Sequence, residues 1–385
     1  MSQSLVIGLR HRGALFVLHL FVGCLALSMA AATGNLTGTA AAATPKEKVS
    51  YYTFRTRDTG AAATNEQNTR CNNYFGARAL TTVTRLNALL FAFNADPGSG
   101  RLVDQTANLL GPGFICAVPK LSTEEVDAYA YSSLPGPGLV EATGPCGLQP
   151  VAVNGSPLIL NCALGVKPIP AKNVLGGLIT SNSLVNILDR SENAPTGSVW
   201  TAQVVGDVAN TGGGGGTVPP TIKPDTPGLD FYSMRARDEK SVSPSSFDCT
   251  VTGLAGPAIA VRTANLAVAQ PDATSGKVPD AVGPAVGKLT VCYVRQNANG
   301  SYRAFGLAEL KAAGKTIKVT ARGDCRTTST VAGPGLRGQA CALAVRKATV
   351  QAGLITSNGL IDAGAPASSA DHAVWTFAMF GVPSA

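Results

Sequence analysis

The octapeptide GLITSNSL at residues 177–184 returns as GLITSNGL at residues 353–360, and the chain around it repeats at an almost constant offset. Four cysteines in each half of the chain follow nearly the same spacing. A repeat this long predicts two tandem domains, because about 155 residues are enough to bury a hydrophobic core. The matching cysteines are Cys71, Cys116, Cys146 and Cys162, and Cys249, Cys292, Cys325 and Cys341.

The first 30 residues are typical of a cleavable secretory signal. Arg10 and Arg12 precede an apolar run at residues 13–29, which ends in small residues and is short for a membrane span. We therefore expect a secreted or periplasmic protein without a transmembrane span. Lipid anchoring through Cys24 is the less favoured alternative.

Removal of the signal would also remove Cys24 and leave eight cysteines, four in each copy. An even number in an exported chain predicts disulfides. Cys146 and Cys162 flank turn residues almost symmetrically, as Cys325 and Cys341 do, so each pair is expected to link the two strands of a hairpin. By elimination, the other bridges are predicted to be Cys71–Cys116 and Cys249–Cys292.

The composition favours an all-β fold with many turns. The chain has 43 Gly, 24 Pro and 14% charged residues, and its apolar runs are short and bounded by turn residues. We predict two homologous domains, each a β-sandwich or a small β-barrel. Short helices are expected after Ser122, which forms a capping-box pattern with Glu125, and over residues 305–314.

The predicted domain organisation follows from the repeat and from two tracts of small residues. Five consecutive glycines at 212–216 and four prolines after them mark a linker between the copies. The predicted segments are a signal peptide (1–30), a disordered linker (31–48), β domain copy 1 (49–207), a Gly/Pro-rich linker (208–228) and β domain copy 2 (229–385).

The two copies differ in charge. Residues 49–207 contain 10 basic and 11 acidic residues, a net charge of −1, whereas residues 229–385 contain 16 and 10, a net charge of +6. An anionic surface is therefore a potential partner of the second copy, although a solvated face that confers solubility is the simpler interpretation. Nucleic acid is not favoured, since no aromatic residues alternate with the cations. Part of the excess is concentrated in Lys311, Lys315, Lys318, Arg322 and Arg326.

Several kinds of active site are disfavoured by the sequence. Outside the signal the only histidine is His372, so no His-based triad or metal cluster is expected in both copies. Glycines at 333, 335 and 338 fit GxGxxG but lie within a predicted hairpin, not in a βαβ unit. We expect neither a metal nor a cofactor.

Residues retained in both copies are the candidate ligand-binding residues. In the stretch YYTFRTRD a strand would place the apolar residues on one face and the arginines on the other, where guanidinium groups could bind an anionic ligand. The retained TSN triplets could form a pocket rim, although a turn is the preferred interpretation. The candidates are Tyr52, Arg55, Arg57, Ser181, Asn182, Tyr232, Arg235, Arg237, Ser357 and Asn358.

Two other retained features have structural explanations that we prefer. Asp96 and Asp104 match Asp272 and Asp280 around Ser-Gly pairs, which favours a turn over a calcium site. The matching residues Trp200 and Trp375 are expected to pack in the two cores rather than to stack on sugars.

No residue cluster indicates a reaction, so we interpret the chain as a binding or surface-interaction module. Tandem modules suit a polymeric ligand such as a polysaccharide. One alternative is a barrel enzyme, a lyase, isomerase or cyclase, that needs neither histidine nor metal. Another is a carrier of a small anionic or apolar molecule, with the arginines binding a carboxylate inside a barrel.

Overall fold

The computed structural model of the chain describes residues 48–76, 84–103, 108–119, 125–150, 158–185, 197–208, 228–280, 283–297, 300–312, 314–328, 335–348, 350–368 and 373–382. The predicted signal peptide, almost all of both linkers, and Asp104, Ser122 and His372 lie outside these residues. Their assignments stay predictions.

The first copy forms a closed antiparallel barrel of eight strands, here called barrel 1. Its strands are neighbours in chain order, and the last pairs with the first, so that Phe54 lies opposite Trp200. A short pair, β3 and β4, lies outside the barrel. The strands are β1 (Val49–Asp58), β2 (Thr84–Phe91), β3 (Asn94–Ala95), β4 (Leu102–Val103), β5 (Leu109–Pro119), β6 (Glu125–Leu134), β7 (Gly138–Pro150), β8 (Leu158–Val166), β9 (Gly176–Val185) and β10 (Gly197–Val205).

The second copy repeats this architecture as barrel 2, again with eight strands and closure between the last and the first. The two-residue strand β13 is not part of barrel 2 and pairs with β1 of barrel 1. The strands are β11 (Leu229–Val242), β12 (Ala260–Val268), β13 (Lys277–Val278), β14 (Ala285–Gln296), β15 (Tyr302–Ala312), β16 (Lys315–Thr327), β17 (Leu336–Ala348), β18 (Ala352–Asp362) and β19 (Val374–Phe380).

Alternation along each strand decides which side chains fill the barrels. On β1, Tyr52 and Phe54 belong to the core of barrel 1, and on β11, Tyr232 and Met234 belong to the core of barrel 2. Successive side chains of a strand point to opposite faces, so the arginines between them point outward. The predicted separation of apolar and cationic faces is confirmed, and the fold is two closed barrels rather than sandwiches.

The described helical segments are few and differ from those predicted. Helix α1 (Asn65–Phe75) begins with a capping box between Thr64 and Gln67, and its buried side chains are Cys71 and Phe75. Three-residue or four-residue 3-10 turns occur at Pro170–Lys172, Pro244–Ser246 and Cys249–Thr252. Both predicted helices are wrong, because their residues lie in β6 and β15, where pairing with neighbouring strands prevails over local helix signals.

All four predicted disulfide pairings are confirmed. Cys146 faces Cys162 across β7 and β8, and Cys325 faces Cys341 across β16 and β17, with Cα–Cα distances of 4.0 and 3.9 Å. The other two bridges attach covering segments to barrel walls. One joins α1 to β5 and the other joins the Cys249–Thr252 turn to β14.

Candidate functional site

The candidate tyrosines lie inside the barrels. Tyr52 and Tyr232 are 1% and 0% exposed and pack among the core residues of their own barrels. Burial raises the pKa of each phenol to about 12, since a charged phenolate would lose its hydration there. These residues are core components with neutral hydroxyl groups.

The first arginine of each retained pair, Arg55 or Arg235, lies between the two barrels. The guanidinium of Arg55 lies 4.5 Å from the ring centre of Phe231, and that of Arg235 lies 4.7 Å from the ring centre of Tyr51. Arg55 also donates from Nε to the Ser198 carbonyl at 3.1 Å. Each barrel therefore offers an arginine to an aromatic residue of the other, a reciprocal cation–π arrangement.

The second pair of arginines is less alike in the two copies. Arg57 is 2% exposed, whereas the Arg237 side chain is 37% exposed. Arg237 donates to the Gly283 carbonyl at 2.9 Å and lies 3.3 Å from the carboxylate of Asp238. The two residues face outward on corresponding strands but have different surroundings.

The TSN triplets are strand residues of β9 and β18, so the turn that we preferred from the sequence is wrong. Asn182 donates to the Leu354 carbonyl at 3.0 Å, and Asn358 donates to the Leu178 carbonyl at 2.8 Å and to the Thr201 carbonyl at 3.0 Å. These bonds again run from each barrel to the other. A local turn does not form because the backbone amides and carbonyls that it would use are hydrogen-bonded to the neighbouring strands.

The serines of the triplets point to the other face of the same strands. Ser181 accepts a hydrogen bond from the Cys162 amide, and Ser357 accepts one from the Cys341 amide, both at 3.1 Å. Each serine thus stabilises the backbone beside a hairpin disulfide inside its own barrel.

The retained acidic loops join the barrels in the same reciprocal way. The Ser233 amide donates to the Gly100 carbonyl, and the Thr53 amide donates to the Gly276 carbonyl. Within its loop, the Asp272 carboxylate accepts bonds from the amides and hydroxyls of Thr274 and Ser275, which lower its pKa. Such a carboxylate stabilises a turn, as expected, and no cluster of metal-ligating side chains occurs among the described residues.

One pseudo-symmetric interface between the barrels, which belong to one compact unit of the chain, is therefore built by Arg55, Arg235, Asn182, Asn358 and the acidic loops. Their ligand-binding role stays a prediction. Sequence reasoning could not place them there, because alternation separates inside from outside but does not show what lies outside.

Each barrel interior contains a cluster of buried apolar side chains. Trp375 is completely buried in barrel 2, and Trp200 is 7% exposed in barrel 1, as expected for core residues. A cavity of about 20 Å³ beside Trp200 and Phe114 has room for roughly one water molecule.

The outer wall of barrel 2 is strongly basic. Strands β14–β17 contain eleven basic and two acidic residues, a net charge of +9. Seven of the cations alternate with inward-facing core residues and therefore share the outer face, and we call these seven the basic wall. They are Lys288, Arg303, Lys311, Lys318, Arg322, Arg326 and Arg346.

The matching wall of barrel 1 is acidic and is partly covered by α1. Strands β5–β8 contain three acidic residues and no basic one, a net charge of −3, or −2 with Lys167, which directly follows β8. Glu141 accepts a hydrogen bond from the Tyr129 hydroxyl at 2.8 Å and forms ion pairs with Lys167 and Arg70. Burial opposes ionisation of this carboxyl, but these partners prevail and lower its pKa.

One substitution between the copies removes a carboxylate from the wall of barrel 2. The hairpin cysteines, taken as the reference points of the two repeats, align Glu141 with Thr320 and Lys167 with Arg346. The carboxylate that neutralises the barrel 1 cations is therefore missing beside Arg346. Among the described residues, neither Arg322 nor Arg346 has an ion-pair partner.

A second polar group, not identified from the sequence, lies inside one end of barrel 2. Arg262 forms an ion pair with Glu239 at 3.6 Å and donates to Gln339 at 3.0 Å. Tyr293 lies beside them, and its phenol donates to Gln339 at 3.4 Å. The sequence feature that could have revealed this group is a charged residue, Arg262, at an inward position of the alternating strand AVRTANLAV.

The fold and these surfaces define a tandem of two closed, eight-stranded antiparallel barrels, each with two internal disulfides. Comparisons with family models, curated protein sequences and solved structures found no significant match. Among the residues that the structure describes, no helix combines the length and hydropathy needed to cross a membrane.

Proposed function

We propose that this chain is an exported binding protein that holds an anionic polysaccharide against the basic wall of barrel 2. The observation that carries this proposal is the charge contrast between matching walls, +9 on β14–β17 and −2 on β5–β8 together with Lys167. Since the two barrels share one fold, the fold itself does not require this excess of cations. A concentrated positive field attracts polyanions.

The arrangement of the cations suits an extended polymer. Lys318, Arg322 and Arg326 lie four residues apart on β16, which separates successive cations by about 13 Å at the rise of a β-strand. Neighbouring strands, about 4.8 Å apart, carry the other cations on either side. A flexible chain with carboxylate or sulfate groups could contact several of them at once and gain avidity.

A polysaccharide suits this wall better than a nucleic acid. Outward-facing residues of the described β14–β17 strands include one aromatic side chain, Phe305, which packs against the covering turn around Cys249. Single-stranded nucleic acids are usually held by several exposed aromatic rings. Hydroxyl groups of Thr290, Thr316 and Thr320 lie among the cations instead and can bond to sugar hydroxyls.

Export is the second part of the proposal. Four disulfides within a chain of this size are typical of proteins from oxidising compartments. Together with the predicted signal peptide, they favour a location outside the cytoplasm, where acidic polysaccharides are accessible.

The test measures binding of the mature protein to polygalacturonate, with neutral dextran and double-stranded DNA for comparison. The wall variant Lys318→Glu/Arg322→Glu/Arg346→Glu should weaken polygalacturonate binding at least tenfold, at about 1 kcal/mol per reversed exposed charge. The control is Lys48→Glu/Lys172→Glu/Lys240→Glu, which changes three exposed lysines outside the wall by the same total charge.

The control variant should keep affinity within about threefold of the unaltered protein, because distant surface charges are screened within roughly 10 Å at moderate salt. Equal losses in both variants would show that only the net charge matters and would contradict the proposed site. Tighter binding to DNA than to polygalacturonate would contradict the ligand class.

A further inference from the structure

The polar group at one end of barrel 2 has no counterpart in barrel 1. The cysteines and the DxxSG loops align Arg262 with Leu86, Tyr293 with Ala117 and Gln339 with Leu160. Those three residues of barrel 1 are apolar and pack in or against its core. An apolar solution therefore exists for the same fold, and the polar one in barrel 2 needs another reason.

The burial of Arg262 and Glu239 strengthens the case for a reason other than the fold itself. The Arg262 and Glu239 side chains are 2% and 3% exposed, and removing an ion pair from water is costly even when the partners meet. In addition, Nε of Arg262 is buried without a hydrogen-bond partner among the described residues. Ionisable groups arranged in this way inside one end of a barrel are typical of binding sites.

The structure also shows what occupies the site. Residues 363–368, which we call the lid, follow β18 at this end of the barrel. The Pro366 carbonyl oxygen accepts one bond from Arg262 at 2.9 Å and another from the Gln339 amide at 3.3 Å. The Ser368 carbonyl accepts a further bond from Arg262 at 3.0 Å, and Ala367 is 2% exposed among the core residues.

The occupant indicates the class of ligand. Two donors that converge on one carbonyl oxygen form a carbonyl-binding site. Glu239 already balances the charge of Arg262, so an anionic ligand would add an unpaired charge to a buried place. A neutral peptide carbonyl, which is what the lid supplies, adds none.

We propose that this end of barrel 2 is a peptide-binding site that the chain's own Ala-Pro-Ala segment, residues 365–367, fills in the closed state. The lid is a displaceable internal ligand. An external peptide of the same chemistry would bind Arg262 and Gln339 when the lid opens. The site lies inside the barrel, is separate from the basic wall, and does not depend on polysaccharide binding.

The test uses the full mature chain and the peptide acetyl-Ala-Pro-Ala-amide. Ala367→Asp should expel the lid, because a carboxylate does not fit the apolar place of Ala367, and it leaves Arg262 and Gln339 unchanged. This variant should bind the peptide saturably in saturation-transfer NMR, and the unaltered chain should bind at least tenfold more weakly, because its tethered lid competes. Adding Arg262→Leu and Gln339→Leu, the residues found in barrel 1, should abolish binding.

Two results would overturn this assignment. One is a folded Ala367→Asp protein that does not bind the peptide, and the other is binding that persists after the leucine substitutions. Amide hydrogen exchange of the unaltered protein covers the case in which Ala367→Asp fails to fold. The Ser368 amide, which donates to Ala365, should exchange at least tenfold faster than the Val319 amide in β16, and equal rates would show that the lid does not open separately.

Discussion

Asn358 should contribute more than its counterpart Asn182 to the stability of the interface between the two barrels. Asn358→Ala removes the bonds to the Leu178 and Thr201 carbonyls, and Asn182→Ala removes the single bond to Leu354. All these atoms lie in a buried interface. At about 1 kcal/mol for each bond lost, we expect costs of about 2 and about 1 kcal/mol, or roughly 30-fold and fivefold in the unfolding equilibrium constant.

Urea unfolding of the full chain measures both effects. Its fluorescence signal comes from both barrels, because Trp200 and Trp375 lie in separate cores. The control is Asn161→Ala, which makes the same chemical change next to Asn182 on β8, where the Asn161 amide nitrogen has no hydrogen-bond partner among the described residues. The control should change the free energy of unfolding by less than about 0.5 kcal/mol.

The reverse order, with Asn182→Ala more harmful than Asn358→Ala, would refute the hydrogen-bond account. So would three equal losses, since they would show that the cost comes from removing an asparagine side chain from any outward position. A double-mutant cycle between Asn358 and Asn182 should be additive, because the two residues bond to different carbonyls.

Three other outcomes follow from single features. Serine at both Cys71 and Cys116 should cost about 4 kcal/mol in urea unfolding, because the lost bridge closes a 45-residue loop. The lowered pKa of Glu141 means that its carboxylate stabilises the fold above the unfolded pKa and loses this effect as the pH falls through the folded pKa, so Glu141→Gln should show a shallower loss of melting temperature in acid than the unaltered protein. Gly323→Ala should cost about 1–3 kcal/mol, because a Cβ there would collide with the Ala342 carbonyl, whereas Gly256→Ala, with open space around it, should be nearly neutral.

The repeat and the period-two alternation made the fold predictable. The spacing of Cys146 and Cys162 around a turn was sufficient to predict their disulfide, because facing strands bring such residues within bonding distance. Alternation in YYTFRTRD predicted opposite faces for Tyr52 and Arg55, which is confirmed. The carrier alternative, which had the arginines inside a barrel, is wrong in this respect, because Arg55 packs on Phe231 of the other barrel. Closure of each sheet into a barrel was not predictable, since it depends on pairing between the first and the last strand of each copy, which no local pattern connects.

The helices show where local signals fail. The pattern of Ser122 and Glu125 indicated a helix, but the residues that follow alternate, with Val126 and Ala128 pointing into the barrel. Helix α1 was missed because its sequence, NEQNTRCNNYF, is polar and buries only two side chains against β5. Its disulfide supplies the attachment that an apolar face would normally provide.

The basic wall was partly predictable, because some of its cations are close together in the sequence. Four of the five cations that the sequence grouped lie on the basic wall, whereas Lys315 is exposed at the start of β16. Lys288, Arg303 and Arg346 were missed because they are distant in sequence from this group and only the barrel brings them alongside it. Arg262 and Gln339 meet across the barrel from β12 and β17, which are 77 residues apart, so no local pattern could associate them.

The reciprocal interface has a consequence for how the two copies can differ. In an assembly of two identical chains, every surface substitution appears twice, so a basic wall on one subunit entails a basic wall on the other. Here the two interacting bodies are encoded separately within one chain. Barrel 2 can therefore exchange a carboxylate for Thr320 while barrel 1 keeps Glu141, and the shared contacts of Asn182 and Asn358 continue to hold two surfaces of opposite charge in one molecule.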